Sequence, residues 1–222
     1  MKQLAQDVYL LDGFPPYAIN VYVIGDVLVD AATRHAGSRI LRELRGRDIR
    51  THVVTHAHPD HQGASHQVCE ALGIPLWCGE RDAAAIEDGK IMERQPRHPI
   101  NVLIGRAFPG PAHPVARRLN EGDEVAGFEV LDTPGHSAGH IALWRAGDRT
   151  LICGDVFTNM DTITGIPGLH EPKPFFTPDP RTNRDSMRRL AALEPELVLF
   201  GHGRPLRDPA RLRAFAAKLP HS

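Results

Sequence analysis

The chain has 222 residues, 41% hydrophobic and 24% charged, which is ordinary for a globular protein with a sizeable core. A formal net charge of -1 argues against nucleic-acid or membrane-surface binding, because both favour a basic face. The N-terminus does not resemble a signal peptide, and no segment approaches the roughly 18 apolar residues of a membrane span. The three cysteines lack CxxC spacing. We therefore expect a cytoplasmic protein with reduced thiols.

The N-terminal third alternates short apolar runs with turns, which predicts antiparallel strands at DVYLL, INVYVIG and VLVDAA. Residues 36–45 have the apolar spacing of an amphipathic helix. THVVTH then predicts a short buried strand. A second helix follows within HQGASHQVCEALG and ends at Gly73.

The middle of the chain predicts a strand at 75–78 and a short helix at 80–88. Residues 89–114 contain repeated Pro and Gly, which favours long surface loops. Strands are predicted around VAGFEVLDTPG, HIALWRAG and TLICGD, and residues 157–180 again resemble a loop.

The C-terminal part predicts a helix in DPRTNRDSMRRLAALEP, with Asp179 as its cap, then the strand ELVLFGHG and a closing helix at 208–218. This order of elements indicates an α/β protein with mixed sheets. Because no repeat, low-complexity tract or linker interrupts it, we expect residues 1–222 to form one domain.

The segment THAHPDH carries His56, His58, Asp60 and His61, four potential metal ligands within six residues. Neutral imidazole and ionised carboxylate are both available near pH 7. The i, i+2 histidines at a strand end can turn their rings toward one centre. In a chain with 13 histidines, chance is an alternative explanation for this cluster alone.

Three further candidate ligands follow apolar strands in glycine-bearing turns: His136 in LDTPGHSAGH, Asp155 in TLICGDVF and His202 in LVLFGHG. Glycine permits the tight turns that expose a side chain at a strand end. Each could instead be a capped turn or a hydrogen-bonded core residue. Together with the first cluster they supply seven ligands, as many as a bridged two-metal site uses.

The order HxHxDH, then H, D and H, resembles the metallo-β-lactamase-fold superfamily of hydrolases, over about residues 55 to 203. The resemblance implies an αβ/βα sandwich: two mixed β-sheets face each other, helices flank them, and metals lie at one edge between the sheets. It also implies two ligand groups bridged by Asp155, namely His56, His58 and His136 for the first metal, and Asp60, His61 and His202 for the second.

Two divalent metal ions are therefore the expected cofactors. Nitrogen-rich ligation with a carboxylate favours Zn, and Fe and Mn tolerate similar donors, so the metal's identity stays open. His140 resembles a residue that orients a ligand, with a structural hydrogen bond as the alternative. The remaining histidines we assign to the surface or to ordinary packing: His35, His52, His66, His98, His113 and His221.

The implied chemistry is hydrolysis by a hydroxide shared between two metals about 3.5–4 Å apart. By the same resemblance, Asp60 is the candidate catalytic residue, because it orients the hydroxide or takes up its proton. No GxSxG elbow offers a serine nucleophile.

Comparison with known branches narrows the substrate. Only twenty residues follow His202, fewer than the helical C-terminal domain of classical glyoxalase II needs. VFTNMDTITG replaces the GCGR-like segment of glyoxalase II and persulfide dioxygenases, and Thr158 stands where many lactonases have tyrosine. We therefore expect a small-molecule substrate with an ester, thioester, lactone or related bond.

The predicted pocket walls are apolar and aromatic, which favours a moderately hydrophobic substrate: Phe14, Tyr17, Met160, His170, Phe175 and Phe176. These residues could instead pack a loop onto the body or form a subunit contact in a homodimer.

Two other functions stay open. One is a mono-iron oxidoreductase resembling the persulfide dioxygenases, and the other is a metal-bound scaffold without catalysis.

Overall fold

Two mixed β-sheets form the body of residues 1–220, the part of the chain that the computed structural model describes; the assignment made for His221 lies outside it. The first sheet has seven strands, in spatial order β1 (Lys2–Ala5), β2 (Val8–Leu10), β3 (Tyr22–Ile24), β4 (Val27–Val29), β5 (Thr51–Val54), β6 (Leu76–Gly79) and β7 (Val115–Leu119). Strands β1 to β4 pair antiparallel, whereas β4 to β7 pair in parallel.

The second sheet has five strands, in spatial order β14 (Leu197–Phe200), β11 (Thr150–Gly154), β10 (Ile141–Arg145), β9 (Phe128–Asp132) and β8 (Glu124–Val125). Strand β14 runs parallel to β11, and the other pairs are antiparallel. A separate hairpin consists of β12 (Thr158–Met160) and β13 (Pro167–His170).

Residues 1–220 contain seven helices, six between strands and one after the last strand: α1 (Gly37–Glu43), α2 (Pro59–Gln62), α3 (Ser65–Leu72), α4 (Ala83–Asp88), α5 (Pro99–Ala107), α6 (Pro180–Ala192) and α7 (Pro209–Ala216). Short 3-10 turns lie at Glu80–Asp82, Ile91–Arg94 and Pro174–Phe176. The Asp179 side chain accepts from the backbone N–H of Thr182 at the start of α6, so the predicted cap is confirmed. No helix in residues 1–220 has the length and hydrophobicity of a membrane span.

The alternation of side chains along each strand produces three apolar layers. The inner layer lies between the sheets and includes Tyr22 from the first and Phe128 from the second, both about 1% exposed or less. Helices α1, α3 and α4 cover the outer face of the first sheet, and α6 and α7 cover that of the second. The predicted αβ/βα sandwich of two mixed sheets flanked by helices is confirmed.

Two segments predicted as loops contain regular structure. Residues 89–114 include α5, which the sequence pattern does not reveal because its apolar residues Val102 and Leu103 are 58% and 67% exposed. Residues 157–180 include the β12–β13 hairpin. Strand β7 was also not predicted, because its sequence VARRL places only Leu119 fully in the core.

Candidate metal centre

The seven predicted ligands meet at one edge of the sandwich, between the two sheets. Four of them follow β5: His56 and His58 lie in the turn, and Asp60 and His61 lie in α2, which Pro59 starts directly after His58. Strands β11 and β14 are parallel, so Asp155 and His202, which follow their carboxyl ends, lie at the same edge. The turn from β9 to β10 supplies His136.

The first group is His56, His58 and His136, whose ligand atoms lie within 4.8 Å of one another. The Nε2 atom of His56 is 3.0 Å from Nδ1 of His58. The rings of His58 and His136 have centroids 4.4 Å apart. All three side chains are buried, so each imidazole faces its neighbours rather than bulk water.

The second group is Asp60, His61 and His202, which meets the same 4.8 Å limit. The His202 Nε2 atom is 3.3 Å from Asp60 Oδ2 and 3.4 Å from His61 Nε2. Asp60 is the one half-buried member, and it faces the cavity described below.

Asp155 lies between the two groups. Its Oδ2 atom is 3.0 Å from His202 Nε2, 3.5 Å from His61 Nε2 and 3.6 Å from His136 Nε2. One carboxylate oxygen therefore contacts members of both groups, which is the arrangement that a bridging ligand requires.

Hydrogen bonds to Nδ1 fix the orientation of four rings. The partners of Nδ1 are Asp30 Oδ2 for His61 at 2.8 Å, Thr55 Oγ1 for His56 at 3.0 Å, Thr177 Oγ1 for His136 at 3.1 Å and the carbonyl of Ala18 for His202. Because Nδ1 is directed at these partners, Nε2 of each ring faces the cluster. Such outer partners are typical of metal-binding histidines.

Two buried aspartates support the ligand turns, and sequence reasoning missed both. Asp30 accepts from the backbone N–H of Thr55 at 2.8 Å as well as from His61. Asp82 accepts from the N–H of Ala57 at 2.8 Å and from the N–H of Gly139 at 2.7 Å, which ties the first ligand turn to the His136 turn. The sequence could have indicated Asp30, because this residue follows an apolar strand, as Asp155 does.

His140 contacts the backbone of a predicted ligand. The N–H of Asp155 donates to His140 Nε2 at 3.1 Å, and the opposite nitrogen, Nδ1, is 2.8 Å from Thr133 Oγ1. Burial lowers the pKa of His140 to about 3, so the ring is neutral and able to accept at Nε2. This side chain therefore holds the turn that presents Asp155.

Gly201 permits close approach of the backbone to the cluster. A Cβ atom at this position would lie 2.0 Å from Asp155 Oδ1 and 2.5 Å from His61 Cε1. No other residue type fits beside this carboxylate, which explains the glycine immediately before His202.

The donor set fits a bound cation. Within the cluster, His136 Nε2 and Asp155 Oδ1 are buried and have no hydrogen-bond partner. Leaving a buried polar atom unpaired costs about 1–3 kcal/mol, so the folded chain gains when a positive centre binds these atoms. Imidazole nitrogens combined with carboxylates are the donors of Zn, Fe and Mn sites.

The protonation states of the candidate ligands are also compatible with metal binding. Burial lowers the pKa of His56 and of His136 well below the ordinary value, so both are neutral. Burial opposes ionisation of Asp155, but the charges of His202 and His61 outweigh it and hold the pKa of Asp155 well below its usual range. Burial also opposes charging of His202, yet the Asp155 carboxylate raises the pKa of His202 to about 10. A metal binding here displaces those protons.

A cavity of about 50 Å³ lies above the cluster. Its floor consists of His58, Asp60, His136, Asp155 and His202. Its walls come from the segments around α5 and after β11, namely Met92, Gln95, Asn101, Ile104, Thr158, Thr162, Pro172, Lys173 and Phe176. Sequence reasoning missed the α5 side of this wall, because a predicted surface loop gives no reason to expect side chains that face inward.

Among the six predicted pocket residues, Phe176 lines this cavity and the other five do not. Phe14 is 94% exposed on its loop. Tyr17 lies under the Arg204 guanidinium, 5.4 Å from the ring centroid. Phe175 stacks on the His98 ring at 4.5 Å. The last two, Met160 and His170, belong to the β12–β13 hairpin and are half-buried there.

Two facing mixed sheets, with a cluster of histidines and aspartates that could hold metal at their shared edge, define an αβ/βα sandwich with a candidate metal centre. The chain belongs to the metallo-beta-lactamase superfamily, whose family model matches residues 14–202.

Several proteins similar to this chain are named as hydrolases or as metal-bound forms. The probable metallo-hydrolase YflN of Bacillus subtilis strain 168 is 29% identical over 200 residues, which is 81% of this chain and 76% of that protein. A hydroxyacylglutathione hydrolase of Rhodospirillum rubrum is 30% identical over 161 residues, 68% of this chain and 48% of that protein. The crystal structure of TTHA1623 in a di-iron-bound form is 28% identical, covers 92% of each chain and has a TM-score of 0.62.

Proposed function

We propose that this protein is a binuclear metal-dependent hydrolase that cleaves an ester, thioester, lactone or related bond of a small molecule. The observation that carries the proposal is the position of Asp155 Oδ2, 3.0 Å from His202 Nε2 and 3.6 Å from His136 Nε2. A carboxylate that contacts both ligand groups supports a pair of metals rather than one. The proposed ligands are His56, His58, Asp60, His61, His136, Asp155 and His202.

When bound, the metals polarise the substrate oxygen and lower the pKa of water enough to supply a nucleophile near pH 7. The protein's own residues position this chemistry. Asp30, Thr55 and Thr177 keep the ligand rings fixed, so little reorganisation is needed during the reaction.

Asp60 is the residue proposed to orient the attacking water or to take up its proton. It lines the cavity, with its Oδ2 atom 3.3 Å from His202 Nε2. A carboxylate in this position can accept a hydrogen bond from the water.

The walls favour a partly apolar acyl group. Met92, Ile104 and Phe176 supply apolar surface, and the side-chain oxygens of Gln95 and Asn101 are buried without a partner, so they are available to accept from the substrate. The hydroxyacylglutathione hydrolases among the relatives act, by their names, on a thioester. This supports thioesters as the first compounds to test.

Metal quantification and a substrate panel test the proposal. We expect two metal ions in this centre, Zn being favoured over Fe and Mn, with hydrolysis that depends on acyl chain length in a series of thioesters, esters and lactones. Chelator-treated, metal-free protein should be inactive. One iron per chain with oxygen uptake would instead establish the oxidoreductase alternative, and full metal content without turnover would establish a scaffold.

A further inference from the structure

A second cluster of potential ligands lies outside the metal centre. His66 and Glu70 are four residues apart on α3, so they share one face of that helix. His113 reaches them from the segment that connects α5 to β7. The ligand atoms of these three residues lie within 4.8 Å of one another.

The spacing of the two imidazoles matches that of a tetrahedral metal site. His66 Nδ1 is 3.2 Å from His113 Nδ1, and the ring centroids are 5.3 Å apart. Two nitrogens bound to tetrahedral zinc at 2.0–2.1 Å are separated by about 3.3–3.4 Å. In the main centre the corresponding distance, from His56 Nε2 to His58 Nδ1, is 3.0 Å.

The burial of the three side chains also suits a ligand set. His113 is 8% exposed, and burial together with the neighbouring His66 lowers its pKa, which keeps the ring neutral as metal binding requires. His66 is half-buried and Glu70 is exposed. An exposed glutamate can rotate onto a metal and neutralise part of its charge.

The location suggests what such a site does. His113 belongs to residues 89–114, which contribute Met92, Gln95, Asn101 and Ile104 to the wall of the active-site cavity. The same segment approaches the start of α3 closely, since a Cβ atom on Gly110 would lie 1.9 Å from the carbonyl oxygen of Gly63. A metal held by His113 and His66 would fasten this wall to α3.

We propose that His66, Glu70 and His113 form a separate binding site for one zinc-class divalent cation, which clamps the cavity wall to α3. The alternative is a direct hydrogen bond between the two imidazoles, with no affinity for metal. The proposal does not depend on occupancy of the main centre, because no residue is shared between the two sites.

Equilibrium dialysis of the full-length protein against Zn²⁺, with metal quantification, tests this directly. The wild type should bind one more Zn²⁺ than the H66Q variant, whatever the occupancy of the main centre. His66→Gln is the primary variant because a half-buried position tolerates it, and H113Q should lose the same single equivalent. Glu70→Gln should retain the site with affinity weakened at least about tenfold.

His35→Gln serves as the matched control, because His35 is an exposed histidine outside both clusters. It should bind as many zinc ions as the wild type. A Co²⁺ titration should show visible ligand-field absorption in the wild type that H66Q reduces by one site's contribution. Equal Zn²⁺ counts for wild type and H66Q across the titration would overturn the proposal and leave the imidazole hydrogen bond as the explanation.

Discussion

Asp155 differs from the other proposed ligands because its Oδ2 atom contacts histidines of both groups. We therefore expect Asp155→Asn to reduce the metal content of the main centre below one ion, since an amide is a poor bridging donor. His202→Gln should retain close to one ion in that centre, because the group of His56, His58 and His136 stays intact. Metal quantification after dialysis measures both.

Asp161→Asn is the control for this pair, because Asp161 is 8% exposed, similar to 4% for Asp155, and pairs with Lys173 outside the cluster. It should bind the wild-type amount of metal. If D155N retained both ions of the main centre and so matched the metal content of the wild type, the bridging role would be refuted.

Gly201 allows a test of close packing beside Asp155. In Gly201→Ala the added methyl group would lie 2.0 Å from Asp155 Oδ1, so either the carboxylate or the β14 end must shift. We expect at least about a hundredfold loss in kcat/KM, since displacements of about 1 Å cost that much in catalysis. Gly147→Ala provides the control, because a Cβ atom there meets nothing within 4 Å and the activity should not change.

His52 provides a pH prediction at a site away from the proposed ligands. It is fully buried, bonded to Ser65 Oγ at 2.7 Å, and burial lowers its pKa from 6.5 to about 4. Below pH 6.5 the unfolded chain therefore binds a proton that the folded chain excludes. Stability is fully present above pH 6.5 and falls as the pH drops toward 4, by about 1.4 kcal/mol per unit.

Urea unfolding of metal-free wild type and H52Q at pH 7 and pH 5 measures this effect. The wild type should lose about 2 kcal/mol more than the variant over that interval. The other buried histidines contribute equally to both proteins, so the difference isolates His52. Parallel losses in the two proteins would show that His52 is not responsible.

At the scale of elements, the sequence predicted the strands and helices that bury apolar residues and missed those that do not. Strand β5 buries Val53 and Val54, helix α6 buries Met187, Leu190 and Ala191, and the positions of both elements agree with the sequence prediction. Helix α5 was not predicted, because Val102 and Leu103 face solvent and only Asn101 is fully buried. Its one fully buried side chain anchors α5 by hydrogen bonds, and apolar periodicity cannot detect such a contact.

Asn101 is therefore the residue through which α5 can be tested. Its Nδ2 donates to the carbonyls of Pro96 at 2.9 Å and Phe175 at 2.6 Å, which joins both sides of the cavity wall. In Asn101→Ala we expect faster hydrogen exchange in residues 96–108 and 173–177, and a KM raised about five- to tenfold with a smaller change in kcat.

Asn120→Ala is the control, because Asn120 is an exposed asparagine that does not line the cavity. It should leave both the exchange pattern of those segments and KM unchanged. An N101A variant with wild-type exchange would show that other contacts hold α5.

At the scale of the whole molecule, the proposed ligands come from both sheets. His56 and His58 follow β5 of the first sheet, whereas Asp155 and His202 follow β11 and β14 of the second. Strand-end histidines and aspartates with glycines were enough to predict this set from the sequence. The cavity walls were not predictable, because they depend on how irregular segments fold over the edge, and no local pattern encodes that.

This arrangement means that metal binding should stabilise the sandwich as a whole, since the bound ions link the two sheets. A ligand that binds only the folded state adds about 4 kcal/mol when present at a thousand times its Kd. We expect chelation to lower the Tm in a single cooperative transition and Zn²⁺ to restore it. The D155N variant should have a lower Tm than the metal-loaded wild type. Chelator and Zn²⁺ should change its Tm less than they change that of the wild type, because the variant binds less metal in the main centre. A chelated wild type that melts at the same temperature as the metal-loaded protein would show that the two sheets are held by their apolar interface alone.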